Sequence, residues 1–226
     1  MQCTELNLPF QVSYTLEQPP LVDSEFVESK GKSFGLLVLH GFSDHAVAAR
    51  KRLLGSEPFQ DLTILSPNAV FPAPVKKGNE YREAYSWYFR DPVTGAQMSS
   101  PQFAAEALIA MIEKLGLQDK TWIVIGFSQG GFFAPALVQA GLKVKAIIAV
   151  GSAYREESYV GLQPVRVHAL HGTDDWVVNH DLSRASFDLI QKMGFGHEFH
   201  SLVGLGHTLN DEGRALVRKI IQSEMS

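Results

Sequence analysis

Residues 121–131 read Thr-Trp-Ile-Val-Ile-Gly-Phe-Ser-Gln-Gly-Gly, an apolar run that leads into a serine flanked by glycines. The run Thr121 to Ile125 has the length and the branched apolar side chains of a buried strand. A helix-like pattern begins at Gly130. The sequence around Ser128 therefore predicts a strand, a sharp turn and a helix, with the serine hydroxyl held out from the sheet by a turn that glycines permit.

Apolar runs of strand length alternate with amphipathic stretches along most of the chain. The predicted strands are Phe34 to Leu39, Leu62 to Leu65, Thr121 to Ile125, Val144 to Val150, Val165 to Leu170 and Glu198 to Val203. The predicted helices are roughly Val47 to Ser56, Pro101 to Leu115, Gly130 to Ala140, His180 to Met193 and Leu209 to Ser223. This alternation predicts an α/β fold, with a mostly parallel sheet and helices on both faces.

The N-terminal stretch has a different pattern. Phe10, Val12, Tyr14 and Leu16 alternate with other residues, as expected of an antiparallel edge strand. We find no internal repeat and no linker-like composition, so we expect one domain over residues 1–226.

Composition excludes several classes of protein. The chain has 226 residues, of which 45% are hydrophobic, and its 20 basic and 24 acidic residues give a net charge of -4, so we expect no nucleic-acid partner. The lone Cys3 cannot form an internal disulfide. No run reaches the ~20 apolar residues of a membrane span, and Met1 to Tyr14 does not resemble a secretory signal. We expect a cytoplasmic protein without integral membrane association.

A serine nucleophile needs a base that a carboxylate orients, and in this arrangement acid and histidine follow the serine at the ends of later strands. The fifth predicted strand is followed by His171-Gly172-Thr173-Asp174-Asp175, and the sixth by Gly204-Leu205-Gly206-His207. The sequence therefore predicts Ser128 as nucleophile and His207 as base. Asp174 and Asp175 are both candidates for the acid, and spacing does not choose between them.

An oxyanion hole is expected beside the serine. Its donors would be the backbone N–H groups of Gln129 and of Phe42, the latter in the loop that begins with His40 and Gly41 after the first strand. We interpret His40 and His171 as structural rather than catalytic. No pair of histidines has a metal-ligand spacing in an acidic context, so we expect neither a metal nor another cofactor.

The segment from Ser66 to Ser100 interrupts the alternation and is rich in proline and aromatic residues. It is either a packed loop over the sheet or the wall of a substrate pocket. Aromatic residues close to the predicted site could form a largely apolar acyl pocket together with Phe42. These residues are Trp87, Tyr88, Phe132 and Trp176.

Four motifs together resemble those of the carboxylesterase, lysophospholipase and acyl-protein thioesterase branch of the α/β-hydrolases, over about residues 34 to 220. The motifs are Leu39-His40-Gly41-Phe42, Gly126-Phe127-Ser128-Gln129-Gly130-Gly131, His171-Gly172-Thr173-Asp174-Asp175 and Gly206-His207. The resemblance implies the α/β-hydrolase fold, hydrolysis of carboxylic esters, thioesters or lysophospholipids without a cofactor, and Asp175 as the acid. The stretch from Trp87 to Asp91 resembles the family's tryptophan-containing segment that lines or supports the site.

Two departures and one alternative accompany this resemblance. Trp176 stands where the family commonly has proline, and Pro135 lies inside the helix after the nucleophile, where it should bend or restart the helix. The alternative to a serine esterase that acts on a small-molecule ester is a non-catalytic protein of the same fold that binds a small apolar ligand, because a fold does not determine a function.

Overall fold

The computed structural model describes residues 33–226 except positions 58, 60, 61, 92 and 95. Its strands are β1 Phe34–Leu39, β2 Thr63–Leu65, β3 Phe71–Pro72, β4 Val75–Lys77, β5 Glu80–Arg82, β6 Tyr85–Ser86, β7 Thr121–Phe127, β8 Val144–Val150, β9 Arg166–Gly172 and β10 Gly196–Leu202. Six of these strands form one parallel sheet, in the order β10-β9-β8-β7-β1-β2. The predicted parallel sheet is thereby confirmed.

Helices cover the two faces of this sheet. They are α1 Ala46–Leu54, α2 Gln102–Lys114, α3 Gln129–Gln139, α4 His180–Lys192 and α5 Asp211–Met225. Buried side chains of α2, α3 and α4 pack in one apolar cluster, and those of α1 and α5 pack in a second cluster on the opposite face. Because successive strand residues point to opposite faces, the buried central strands contribute to both clusters.

Helix α3 continues through Pro135, so of the two predicted effects the restart is wrong, and the bend stays a prediction. The helix runs without interruption from Gln129 to Gln139 and contains the proline. Proline removes one backbone donor from a helix. Here Phe133, Ala134 and Ala136 are buried around it, so packing on the sheet holds the helix together.

The segment from Ser66 to Ser100 contains short antiparallel pairs that sequence reasoning did not predict. Strand β3 pairs with β6, and β4 pairs with β5. The predicted edge strand at Phe10 to Leu16 lies outside the described residues. Within the described part of the chain, no helix is both long and apolar enough to span a bilayer.

Candidate active site

Ser128 occupies a strained turn between β7 and α3. Its backbone has φ 48° and ψ -115°, a conformation that non-glycine residues rarely adopt. The turn passes close to the end of β1, since a Cβ atom on Gly130 would lie 2.6 Å from the carbonyl oxygen of Leu39. The Ser128 N–H donates to the carbonyl of Val150 at 2.8 Å. The side chain of Ser128 stays partly exposed at the carboxyl end of the sheet.

His207 and Asp175 form a hydrogen-bonded pair at the same end of the sheet. The distance from His207 Nδ1 to Asp175 Oδ2 is 2.7 Å. Nδ1 therefore donates to the carboxylate, and this tautomer leaves a lone pair on Nε2. The His207 ring also packs on Phe127, the neighbour of Ser128, with ring centroids 4.8 Å apart.

The geometry distinguishes the two adjacent aspartates. Asp175 is buried, and its Oδ1 accepts from the N–H groups of Val177 and Val178, each at 2.9 Å. These two bonds orient the carboxylate so that Oδ2 faces His207. Asp174 is exposed, and its Oδ1 accepts from the hydroxyl of Thr173. The structure therefore brings Asp175, and not Asp174, to the histidine.

His171 lies on the other side of the same carboxylate. Its Nε2 is 2.7 Å from the carbonyl of Val178, to which it donates, and 3.3 Å from Asp175 Oδ2. Burial lowers the pKa of His171. A neutral His171 carries no positive charge that would compete with His207 for the charge of the Asp175 carboxylate.

The predicted oxyanion loop lies beside the serine turn. A Cβ atom on Gly41 would lie 3.5 Å from Ser128 Cβ, and the side chain of Phe42 is exposed next to it. Ser43, the next residue, has φ 52°. Gln129 is the first residue of α3, where a backbone N–H has no partner within the helix. Both predicted donors therefore belong to segments that adjoin Ser128.

The Gln129 side chain connects the serine turn to the aromatic segment. Its Nε2 donates to the Tyr88 carbonyl at 2.8 Å, and its Oε1 accepts from the N–H of Trp87 at 3.0 Å. Ser86 Oγ lies within 3.2 Å of the same amide and donates to the Tyr88 carbonyl at 2.6 Å. Sequence reasoning assigned Gln129 only a backbone role and missed this anchor.

His40 is a structural residue at the start of the oxyanion loop, in agreement with the sequence interpretation. It is 0% exposed, its Nε2 accepts from the Ala69 N–H at 2.9 Å, and its Nδ1 donates to the Gly41 carbonyl. Burial lowers the pKa of His40 to about 4. Its own carbonyl accepts from Trp87 Nε1 at 2.9 Å.

The four residues predicted to line a pocket differ in their surroundings. Trp87 is 1% exposed and stacks on Phe133, with ring centroids 4.6 Å apart, and Tyr88 is also buried. A buried ring offers no surface to a ligand, so the packed-loop alternative is favoured for these two residues. Phe132 is half-buried, and Trp176 is 88% exposed. Their role in an acyl pocket stays a prediction.

Two residues after β8 complete the surroundings of the site and were missed in the sequence. Ser152 Oγ donates to the Ser128 carbonyl at 2.8 Å, and a Cβ atom on Gly131 would lie 2.1 Å from that hydroxyl. A Cβ atom on Gly151 would lie 3.3 Å from the His207 ring. The sequence signal that could have identified them is their position directly after β8, the strand that pairs with β7.

Comparison with known proteins identifies the family to which the chain belongs. The Phospholipase/Carboxylesterase family model matches residues 23–224. A probable carboxylesterase SOBER1-like of Arabidopsis thaliana is 26% identical over 203 residues, covering 82% of this chain and 76% of that protein. Lysophospholipase-like protein 1 of Mus musculus is 25% identical over 195 residues, covering 79% of this chain and 81% of that protein.

The crystal structure of Zea mays acyl-protein thioesterase 2 shares the fold, with a TM-score of 0.67 at 19% identity, covering 90% of this chain and 99% of that one. The family match extends over most of the sequence and includes every element that carries the site. The chain therefore belongs to the phospholipase/carboxylesterase family of the α/β-hydrolases.

Proposed function

We propose that this carboxylic-ester hydrolase acts through Ser128 as nucleophile, His207 as general base and acid, and Asp175 as the residue that orients the histidine. The observation that carries the proposal is the 2.7 Å contact between His207 Nδ1 and Asp175 Oδ2, next to a serine on a strained turn. The reaction uses no cofactor. Its substrates are small-molecule esters, with thioesters and lysophospholipids as further candidates.

Acylation begins when Ser128 Oγ attacks the carbonyl carbon of the ester. His207 Nε2 takes the hydroxyl proton and then gives it to the oxygen of the leaving alcohol, so that an acyl-enzyme remains. Water, deprotonated by the same nitrogen, then attacks the acyl carbon; the bond to Ser128 Oγ breaks, His207 returns the proton to that oxygen, and the acid is released. The proposal requires Ser128 Oγ to approach His207 Nε2, a contact absent from the hydrogen bonds of the described residues; such contacts often shorten only with substrate bound.

The negative charge on the carbonyl oxygen is stabilised by the N–H groups of Gln129 and Phe42. The first lies at the N-terminus of α3, where the helix dipole also favours an anion. The loss of a single such donor costs about 10²–10³ in kcat in a well-studied serine hydrolase. The Gln129 amide anchor to Ser86, Trp87 and Tyr88 supports this donor because it limits movement of the turn.

We also propose that residues 1–226 form one domain that carries this activity. The support is that the described strands from β1 to β10 include six that belong to a single sheet. A cytoplasmic location without a nucleic-acid partner is the accompanying proposal, and it rests on the composition of the chain.

Active-site labelling with a fluorophosphonate separates an esterase from a non-catalytic ligand-binding protein. We expect one label per chain, its loss in Ser128→Ala, and hydrolysis of p-nitrophenyl esters below ~1% of the parent rate in that variant. The matched control is Ser223→Ala, which removes an exposed hydroxyl on α5 and should change neither result. Full ester hydrolysis by Ser128→Ala would assign the nucleophile elsewhere, and an unlabelled parent chain would favour the ligand-binding alternative.

A further inference from the structure

Three metal-ligating side chains without a role in the proposed reaction lie together at the outer edge of the sheet. His168 lies on β9, and Glu198 and His200 lie on the edge strand β10. Glu198 is the registered neighbour of His168. Residues two apart on a strand share a face, so the three side chains project to the face that α5 covers.

His168, one of the three residues, has a ring nitrogen without a hydrogen-bond partner in the described part of the chain. The residue is 4% exposed, and its Nε2 donates to Glu224 Oε1 at 2.9 Å. This bond leaves the lone pair on Nδ1. Nδ1 is buried and has no hydrogen-bond partner among the residues that the structure describes. Because buried polar atoms are nearly always paired, the vacant acceptor points to a ligand.

His200 contributes a second nitrogen, which is close to the Glu198 carboxylate but makes no hydrogen bond of regular geometry to it. Its Nε2 is buried, lacks a hydrogen-bond partner within the described chain, and lies 3.1 Å from Glu198 Oε2. The candidate ligand atoms of the three residues all lie within 4.8 Å of one another. Two ligands of a tetrahedral Zn²⁺ lie about 3.4 Å apart, given metal–ligand distances of about 2.1 Å. Glu198 Oε2 and His200 Nε2 are already at about this spacing, and the described distances leave at most 4.8 Å between any two ligand atoms of the cluster.

Glu224 supplies the outer contact that metal-binding histidines usually have. Its buried carboxylate accepts from His168 on one oxygen and from Arg166 Nη2 on the other, at 2.5 Å. A carboxylate that holds the far nitrogen of a histidine fixes the ring and raises its affinity for a metal. The structure therefore already contains a carboxylate, Glu224, that holds one nitrogen of His168 while the other nitrogen has no partner among the described residues.

We propose that His168 Nδ1, His200 Nε2 and the Glu198 carboxylate bind one divalent transition-metal ion that prefers imidazole ligands, such as Zn²⁺. Three protein ligands leave a fourth position for water. The site connects β10 to β9, and β10 leads into the loop that carries His207. The metal acts as a clamp on the edge strand and takes no part in ester hydrolysis.

Calorimetric titration with Zn²⁺ of the full chain, first treated with a chelator, tests the proposal. We expect one equivalent to bind, and a melting temperature roughly 5–10 °C higher at a free Zn²⁺ concentration about 100 times the dissociation constant. His200→Gln and Glu198→Gln should each weaken binding by about tenfold or more. Both residues have exposed surface, so these variants are expected to fold.

Glu113→Gln is the control because it removes an exposed carboxylate on α2, which packs on the opposite face of the sheet from α5; His197 is left unchanged because its ring packs on His168, with centroids 4.9 Å apart. The control variant should bind Zn²⁺ like the parent chain. The proposal is overturned if the parent binds no Zn²⁺, if both His200→Gln and Glu198→Gln bind it as tightly as the parent, or if Glu113→Gln weakens binding as much as they do. None of these readouts depends on Ser128, so failure here is distinct from failure of the proposed reaction.

Discussion

Acid should destabilise the fold through His40. The neutral ring accepts from Ala69 N–H and donates to the Gly41 carbonyl, so a second proton would break one bond and place a charge in the core. The pKa of His40 is lowered from 6.5 to about 4 by burial. Below pH 6.5 the unfolded chain binds a proton that the folded chain binds only near pH 4, so the free energy of unfolding falls as the pH falls through this window.

The magnitude follows from the width of the window. A difference of about 2.5 pH units at about 1.4 kcal/mol per unit corresponds to roughly 3–4 kcal/mol of stability, present above pH 6.5 and lost by pH 4. Urea unfolding at a series of pH values between 7.5 and 4.5 measures it. We compare the parent with His40→Gln, because the glutamine amide can still donate and accept but does not titrate.

The slope of unfolding free energy against pH should be smaller in His40→Gln by up to about 1.4 kcal/mol per pH unit, the contribution of one proton. The comparison uses slopes because the substitution also changes stability at every pH. Equal slopes in the two proteins would refute the reasoning, since His40 would then take up its proton equally in both states.

The other predictions concern the acid, the serine turn and the tryptophans. Asp175→Asn should lower kcat by a factor of about 10³–10⁴, because the imidazole of His207 would no longer be held in the tautomer that accepts a proton on Nε2. Asp174→Asn should retain most activity. Steady-state ester hydrolysis compares the two variants, and a larger loss in Asp174→Asn would contradict the assignment. Gly131→Ala places a methyl group 2.1 Å from the hydroxyl that holds the turn, and should cost ~1–3 kcal/mol in thermal unfolding; an unchanged melting temperature would show that the turn relaxes. Trp87→Ala should lower the free energy of unfolding by ~3–5 kcal/mol because Trp87 is buried, whereas Trp176→Ala should change it by no more than ~0.5 kcal/mol because Trp176 is exposed. Urea unfolding of both variants measures the difference. If Trp176 lines the acyl pocket, its removal also shifts the preferred ester chain length, and an unaltered profile would remove it from the pocket.

Sequence patterns predicted the sheet because each buried strand carries its own apolar signal. The strand at Val144 to Val150 agrees with β8, and the serine turn follows from glycines within a few residues. Neither depends on contacts that are distant along the chain. The strands β3 to β6 were missed because runs of two or three residues are too short to show a period.

Contacts between distant residues explain what the sequence could not determine. Asp174 and Asp175 are equivalent by spacing, and only the backbone bonds from Val177 and Val178 decide which carboxylate turns inward. The expectation that no metal binds was based on the spacing of histidines along the sequence. His168 and Glu198 are 30 positions apart and become neighbours only through the pairing of β9 with β10, so the metal proposal needed the fold.

The Gln129 amide has a consequence for protein engineering. The segment from Ser66 to Ser100 interrupts the alternation of strands and helices, which makes it an attractive unit to exchange between family members when a new substrate preference is wanted. Its backbone at Trp87 and Tyr88 is nevertheless hydrogen-bonded to Gln129, the residue that follows the proposed nucleophile. A graft should therefore be chosen for its carbonyl and N–H positions opposite Gln129, because a poorly fitting insert would disturb catalysis even where it never touches substrate.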